Sequence, residues 1–176
     1  SIFEHAIKNY GKQEIVSNTV EGGIHKYNYS SWGKRTKKLA NAFKSLDLKQ
    51  GDKVGTLAWN GYRHLEIYYA TSCSGLICHT LNPRLHPEQV SYIVNHAEDK
   101  VLCVDLNILP LIEKASENFK TVEALVIMTD EKNMVKPNIK DGIKVICYEE
   151  FINDQSNKFV WPQFDEKTAS SLCYTS

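Results

Sequence analysis

The residues of this chain that can do chemistry gather where short apolar runs end. Trp59-Asn60, Asn82-Pro83-Arg84, Asp105, Asp130 and Thr175-Ser176 each follow such a run. Asp105 has the placing of a phospho-acceptor, and more simply that of a cap on the next helix. Arg84 stands out because only three arginines accompany eighteen lysines. It either anchors its own turn or contacts a ligand or a neighbouring domain. The six histidines (His5, His25, His64, His79, His86, His96) never fall as an H-x-x-x-H pair. His96 near a helix end reads as a cap compatible with the helix dipole, and His79 within a strand as a hydrogen-bonded core or edge residue. Cys73, Cys78, Cys103, Cys147 and Cys173 are odd in number and form no C-x-x-C pair. Ligand pairs for zinc are therefore missing, and the thiols are expected free, as small core hydrophobes in a reducing compartment.

Known phosphate and nucleophile fingerprints are absent. There is no G-x-G-x-x-G, no G-x-x-x-x-G-K-[ST] and no G-x-S-x-G, which removes the dinucleotide fold, the P-loop NTPases and the commonest hydrolases on a similar sheet. Twenty-one basic residues balance twenty-one acidic ones. That neutrality argues against a nucleic-acid-binding domain, which needs a strongly basic face. A hydrophobic content of 42% with 10% aromatics suits a folded chain, and nine glycines are few. The apolar stretches are strand-sized, too short to span a bilayer, and Ser1-Ile2-Phe3-Glu4-His5 does not read as a signal peptide. A soluble, cytoplasmic protein is the expectation.

The elements that must hold these residues show in the apolar spacing. Phe3, Ala6, Ile7 and Tyr10 fit a helix stopping at Gly11, and 13–16 with 25–29 form a hairpin around Glu21-Gly22-Gly23. Ser30 or Ser31 caps a helix whose stripe is Trp32, Thr36, Leu39, Ala40, Phe43 and Leu46, ending before Gly51. Lys34, Lys37, Lys38 and Lys44 form its solvated face. Strands are predicted at 54–58, 76–81, 101–105, 124–129, 143–147 and 172–174, alternating with helices at 62–74, 88–97, 108–119 and about 148–153. Residues 131–141 are a polar surface connection. Alternation with fully apolar strands predicts an α/β fold: a doubly wound, mostly parallel sheet flanked by helices. An arm and hairpin over 1–29 precede the α/β unit of 30–176. Ligands of such sheets bind outside the strands' carboxyl ends.

Several separated motifs, in order, resemble the adenylate-forming enzymes, the superfamily of acyl-CoA synthetases, luciferases and peptide-synthetase adenylation domains. They are Tyr29-Ser30-Ser31-Trp32, Leu39-Ala40-Asn41-Ala42-Phe43, Leu48-Lys49-Gln50-Gly51-Asp52-Lys53-Val54, Trp59-Asn60, Gly75, Leu81-Asn82-Pro83-Arg84-Leu85 and Asn95-His96-Ala97-Glu98-Asp99-Lys100-Val101-Leu102. Asp165-Glu166 and Leu172-Cys173-Tyr174-Thr175-Ser176 complete the series. Within the superfamily, Asn82–Leu85 and Asn95–Lys100 are most similar to medium- and long-chain fatty-acid:CoA ligases.

The resemblance implies a parent enzyme that joins a fatty acid to AMP from ATP, with Mg²⁺, and passes the acyl group to CoA. Thr175 and Ser176 would open a Gly-Thr-Thr-Gly-x-Pro-Lys loop that grips the ATP phosphates, with Thr175 near Mg²⁺. The glycines of that loop, and the family's later acidic residues and mobile C-terminal domain, are not in the sequence. The chain is thus expected to be an N-terminal fragment of the parent's large domain, holding no catalytic residue and no tightly bound cofactor. Some members dimerise through this region, so a homodimer is compatible. A free-standing α/β interaction module, or the same superfamily acting on an aryl or short-chain acid, are the alternatives.

Overall fold

A computed structural model describes residues 1–174. Helix α1 (Ile2–Tyr10) starts where the Ser1 hydroxyl accepts the Glu4 N–H. It buries Phe3 against Trp32, Tyr69 and Trp161. Strands β1 (Glu14–Asn18) and β2 (Ile24–Asn28) form the expected antiparallel hairpin. Helix α2 (Tyr29–Lys44) buries the predicted stripe of Trp32, Thr36, Leu39, Ala40 and Phe43. Its cap is neither Ser30 nor Ser31. Asn28 has the extended backbone a cap needs, and its Oδ1 accepts the Ser31 N–H at 2.9 Å.

The remaining strands are β3 (Lys53–Leu57), β4 (Ile77–Thr80), β5 (Asp99–Val104), β6 (Ala124–Ile127), β7 (Lys144–Cys147) and β8 (Ser171–Cys173). They form one six-stranded sheet in the order β7-β6-β5-β3-β4-β8, and every recorded pairing in it is parallel. The register slips between β3 and β5, where Lys53 pairs Asp99 but Val54 pairs Val101. Helices α3 (Tyr62–Ser74), α4 (Pro87–Ala97), α5 (Leu109–Ala115) and α6 (Tyr148–Asn153) lie between the strands in sequence.

Continuous apolar strands are needed because both sheet faces are covered. In β5, Val101 and Cys103 join the core under α2, α3 and α6, while Leu102 and Val104 join the core under α4 and α5. The helix predicted over 108–119 breaks into α5 flanked by 3₁₀ turns at Leu106–Ile108 and Ser116–Asn118. The Ser116 hydroxyl donates to the Glu113 carbonyl and Phe119 N–H bonds to the Ser116 carbonyl, which tightens the last turn. All five cysteines are free; Cys78, Cys103 and Cys147 are buried, but Cys173 on edge strand β8 is exposed. Among the described residues no helix is long and apolar enough to cross a membrane.

Two glycines carry specific constraints. Gly75 ends α3 at φ 81°, with its N–H on the Thr71 carbonyl. Gly55 sits where a Cβ would lie 2.5 Å from Leu102 Cδ2 and 2.9 Å from Asp99 Oδ2. Gly75→Ala should therefore cost about 1 kcal/mol through backbone strain, lowering Tm by about 3 °C. Gly55→Ala must displace a buried carboxylate and should cost more, about 2 kcal/mol. Thermal unfolding of the two variants checks that order.

Candidate functional site

Parallel strands bring their carboxyl ends to one edge of the sheet, and there β3 and β5 are joined by side chains. Asp105, 6% exposed, accepts the Trp59 N–H on Oδ2 at 2.7 Å. It makes no cap bond to the 3₁₀ turn that follows. Its acceptor therefore serves the neighbouring strand rather than its own helix, which corrects the simple capping expectation. Trp59 Nε1–H donates to Asn107 Oδ1 at 3.2 Å. Behind Trp59, His64 donates from Nδ1 to the Trp59 carbonyl and accepts the Thr56 hydroxyl on Nε2. Burial lowers the His64 pKa, with the bond to Trp59 opposing, and this tautomer suits a neutral ring. A cleft of about 30 Å³ opens here between the hairpin loop at Thr19 and Val20, Trp59, Arg63 and Asp105. That is room for one water.

The dominant feature beside this cleft is an ion network that sequence reasoning missed. Arg35 of α2 donates from Nε to Glu66 Oε1 at 2.7 Å and from Nη1 to Glu149 Oε2 at 2.9 Å. Arg63 of α3 donates from Nε to Glu149 Oε1 at 2.9 Å and from Nη1 to Glu21 Oε1 at 2.7 Å. It also reaches the Met128 carbonyl at the end of β6. The Tyr148 hydroxyl donates to Glu66 at 2.7 Å, and Tyr62 to Glu149 at 3.1 Å. The Thr129 hydroxyl donates to Glu21, and the His25 ring stacks on Tyr62 with centroids 3.7 Å apart.

Burial pushes the fully buried Glu66 carboxyl above its ordinary value, against the charge and hydrogen bonds of Arg35 and the bond from Tyr148. Burial acts in the same direction on Glu149, but there Arg35 and Arg63 together outweigh it and hold the carboxyl low. Of the three arginines, two carry this network, while the sequence reading singled out the third, Arg84. Arg63 is buried and Arg35 half-buried, and both are paired, whereas Arg84 is exposed.

Arg84 does not anchor its turn by its side chain; Asn82 Oδ1 does so by accepting the Arg84 N–H at 3.0 Å. Among the described residues its guanidinium has no recorded ion pair. Asp130 caps its 3₁₀ turn through the Asn133 N–H. His79 is buried and paired with Asp99, as expected of a core histidine, and His96 in the last turn of α4 bonds the Tyr174 hydroxyl. Thr175 and Ser176 lie outside the described residues. Among the described residues no group of three or more His, Cys, Asp or Glu is arranged to hold a metal.

Chemically, the network binds the protein to itself. Two guanidinium groups face three carboxylates, and neither arginine is left to meet a phosphate. Glu149→Gln removes the charge shared by Arg35 and Arg63 and should lower stability by about 2 kcal/mol in urea unfolding. A depressed carboxyl stabilises the fold only while ionised. The gap between wild type and variant should thus be full above the ordinary value of 4.5 and narrow as pH falls below it.

The AMP-binding enzyme family matches the chain over residues 3–176. The chain is 42% identical to a 3-methylmercaptopropionyl-CoA ligase of Ruegeria lacuscaerulensis and 40% identical to a medium-chain-fatty-acid–CoA ligase of Ectopseudomonas oleovorans. In both alignments 100% of this chain covers 32% of the relative. A long-chain-fatty-acid–CoA ligase of Thermus thermophilus is 38% identical, with 98% of this chain covering 30% of it. The crystal structure of an anthranilate CoA ligase with anthranoyl-AMP superposes with a TM-score of 0.81 at 20% identity, over 99% of this chain and 30% of that one. That likeness shows a shared fold. The chain spans about a third of the length of the relatives it matches. Ordered motifs, the parallel sheet and a match over nearly every residue agree, and the chain belongs to the family of AMP-binding, adenylate-forming enzymes.

Proposed function

We propose that this chain is the N-terminal part of an ATP-dependent fatty-acid:CoA ligase, and that alone it is catalytically incompetent. In the parent reaction a carboxylate oxygen attacks the α-phosphorus of ATP and pyrophosphate leaves, giving acyl-adenylate. The CoA thiol then attacks the acyl carbon, AMP leaves, and a thioester forms. ATP, Mg²⁺ and CoA are the cofactors of that enzyme, and its home is the cytoplasm.

One observation carries the reading. Strand β8 runs parallel to β4 and delivers Tyr174 past the carboxyl edge of the sheet, directly before Thr175-Ser176. That edge is where such sheets take their ligands. In this reading Thr175 and Ser176 open the phosphate loop, and the Thr175 hydroxyl meets Mg²⁺. The arm and hairpin of 1–29 form a unit that braces the α/β part from residue 30 onward.

The charges of the described residues support the incompetence reading only in that they offer no ready phosphate site. In-line displacement at phosphorus needs preorganised cations around the phosphates. Arg35 and Arg63 are occupied by Glu21, Glu66 and Glu149. The surplus carboxylate there opposes an anionic ligand. A short-chain acid is the second reading of the substrate, because a relative at 42% identity is named for 3-methylmercaptopropionate.

Pyrophosphate–ATP exchange measured on the 176-residue chain and on the full-length gene product tests both parts. The chain should show none and the full-length protein should exchange, fastest with octanoate in a panel that includes 3-methylmercaptopropionate and anthranilate. Exchange by the chain alone sinks the incompetence claim. A preference for either other acid sinks the fatty-acid assignment, and a full-length protein inert with all three removes the ligase reading.

A further inference from the structure

His79 and Asp99 form an ion-pair geometry that neither the fold nor the network above uses. Both are fully buried, and His79 Nδ1 lies 2.8 Å from each oxygen of the Asp99 carboxylate. The two residues come from strands that are not neighbours. His79 is on β4 and Asp99 on β5, with β3 between them. They meet because Gly55, paired with His79 across the sheet, has no side chain to fill the space that the carboxylate occupies. A buried carboxylate is costly unless it is paired, so an arrangement of this kind inside an otherwise apolar core needs a reason.

What rests on the histidine supplies that reason. Nδ1 is committed to Asp99, which fixes the plane of the ring, and the buried Nε2 has no hydrogen-bond partner among the described residues. The Tyr174 ring lies against it, with centroids 5.3 Å apart. The Tyr174 hydroxyl then reaches His96 Nδ1 in the last turn of α4, where Tyr92 stacks on the His96 ring. Tyr174 is thus held at both ends of its side chain. It needs holding, because β8 has three residues and pairs with β4 alone.

We infer that His79, oriented by Asp99, acts with His96 to position Tyr174 and so sets where the chain leaves β8 toward Thr175 and Ser176. His79 and Tyr174 are positioning residues for nucleotide phosphate binding. They do not contact the reacting atoms. This rests on the ligase reading above, in which that segment grips the phosphates. A small displacement of such a segment is expensive: a shift of about 1 Å in a reacting geometry can cost on the order of 10²-fold in rate.

The test separates the two half-reactions of the full-length enzyme. Pyrophosphate exchange depends on the phosphate segment; thioester formation from supplied acyl-adenylate and CoA does not. His79→Gln and Tyr174→Ala should each lower kcat/KM for ATP by about tenfold or more, while the second half-reaction stays within about twofold of wild type. Tyr174→Phe keeps the ring against His79 and should recover most of the loss. Tyr174→Ala leaves the buried pair in place, so it reports even if His79→Gln weakens the fold. Equal losses in both half-reactions make the cluster a fold stabiliser and overturn the inference, as do unchanged ATP kinetics in Tyr174→Ala. A wild-type protein without exchange fails at the earlier step, and takes down the ligase reading together with this one.

Discussion

Burying the Glu66 carboxylate is the constraint around which one face of this molecule is arranged. A carboxylate without solvent must be met by donors from the protein. Arg35 supplies two, and the Tyr148 hydroxyl a third. Those donors come from α2 and α6, while Glu66 belongs to α3, so one charge fixes three helices against each other. The second guanidinium, Arg63, extends the tie through Glu149 to α6 and through Glu21 to the hairpin. The hairpin has only two strands and little core of its own. Its attachment is therefore largely electrostatic, with the His25–Tyr62 stack alongside.

This use of arginine shapes the chemistry left to the domain. In a phosphate site the guanidinium is prized for its bidentate fork. Here the forks of Arg35 and Arg63 are spent on carboxylates within the domain. Whatever neutralises a nucleotide bound near this edge must come from Arg84, lysines, a metal ion, or other chain segments. The opposite face of the sheet follows another rule. There α4 and α5 pack on Leu57, Leu102, Leu125 and Ile127, and the histidine–aspartate pair is a buried polar pair on that face.

The backbone architecture was legible because hydrophobic periodicity reports it directly. Helix 62–74 with its Gly75 terminator and the short helix after β7 appear where the spacing places them. What periodicity cannot report is which polar residue meets which. Asn28 displaced two serines as the cap of α2 because the backbone turns helical at Tyr29, three residues before the apolar stripe begins at Trp32. Arg35, Glu66 and Glu149 are separated by 31 and 114 positions along the chain, so no local pattern links them. Motif order found the family. The partners of Arg63 and His79 needed three dimensions.

The register slip between β3 and β5 has a consequence of parity. Alternation along a strand would put Asp99 on the same face as Val101 and Cys103, toward α2. With Lys100 as the one extra residue opposite β3, the count shifts by one, and the Asp99 carboxylate arrives instead beside Leu102 and Gly55. Its meeting with His79 is thus decided by the number of residues before Val101 as much as by their identity. Were Lys100 taken into register as an ordinary strand residue, with every named side chain preserved, the carboxylate would go to the other side of the sheet.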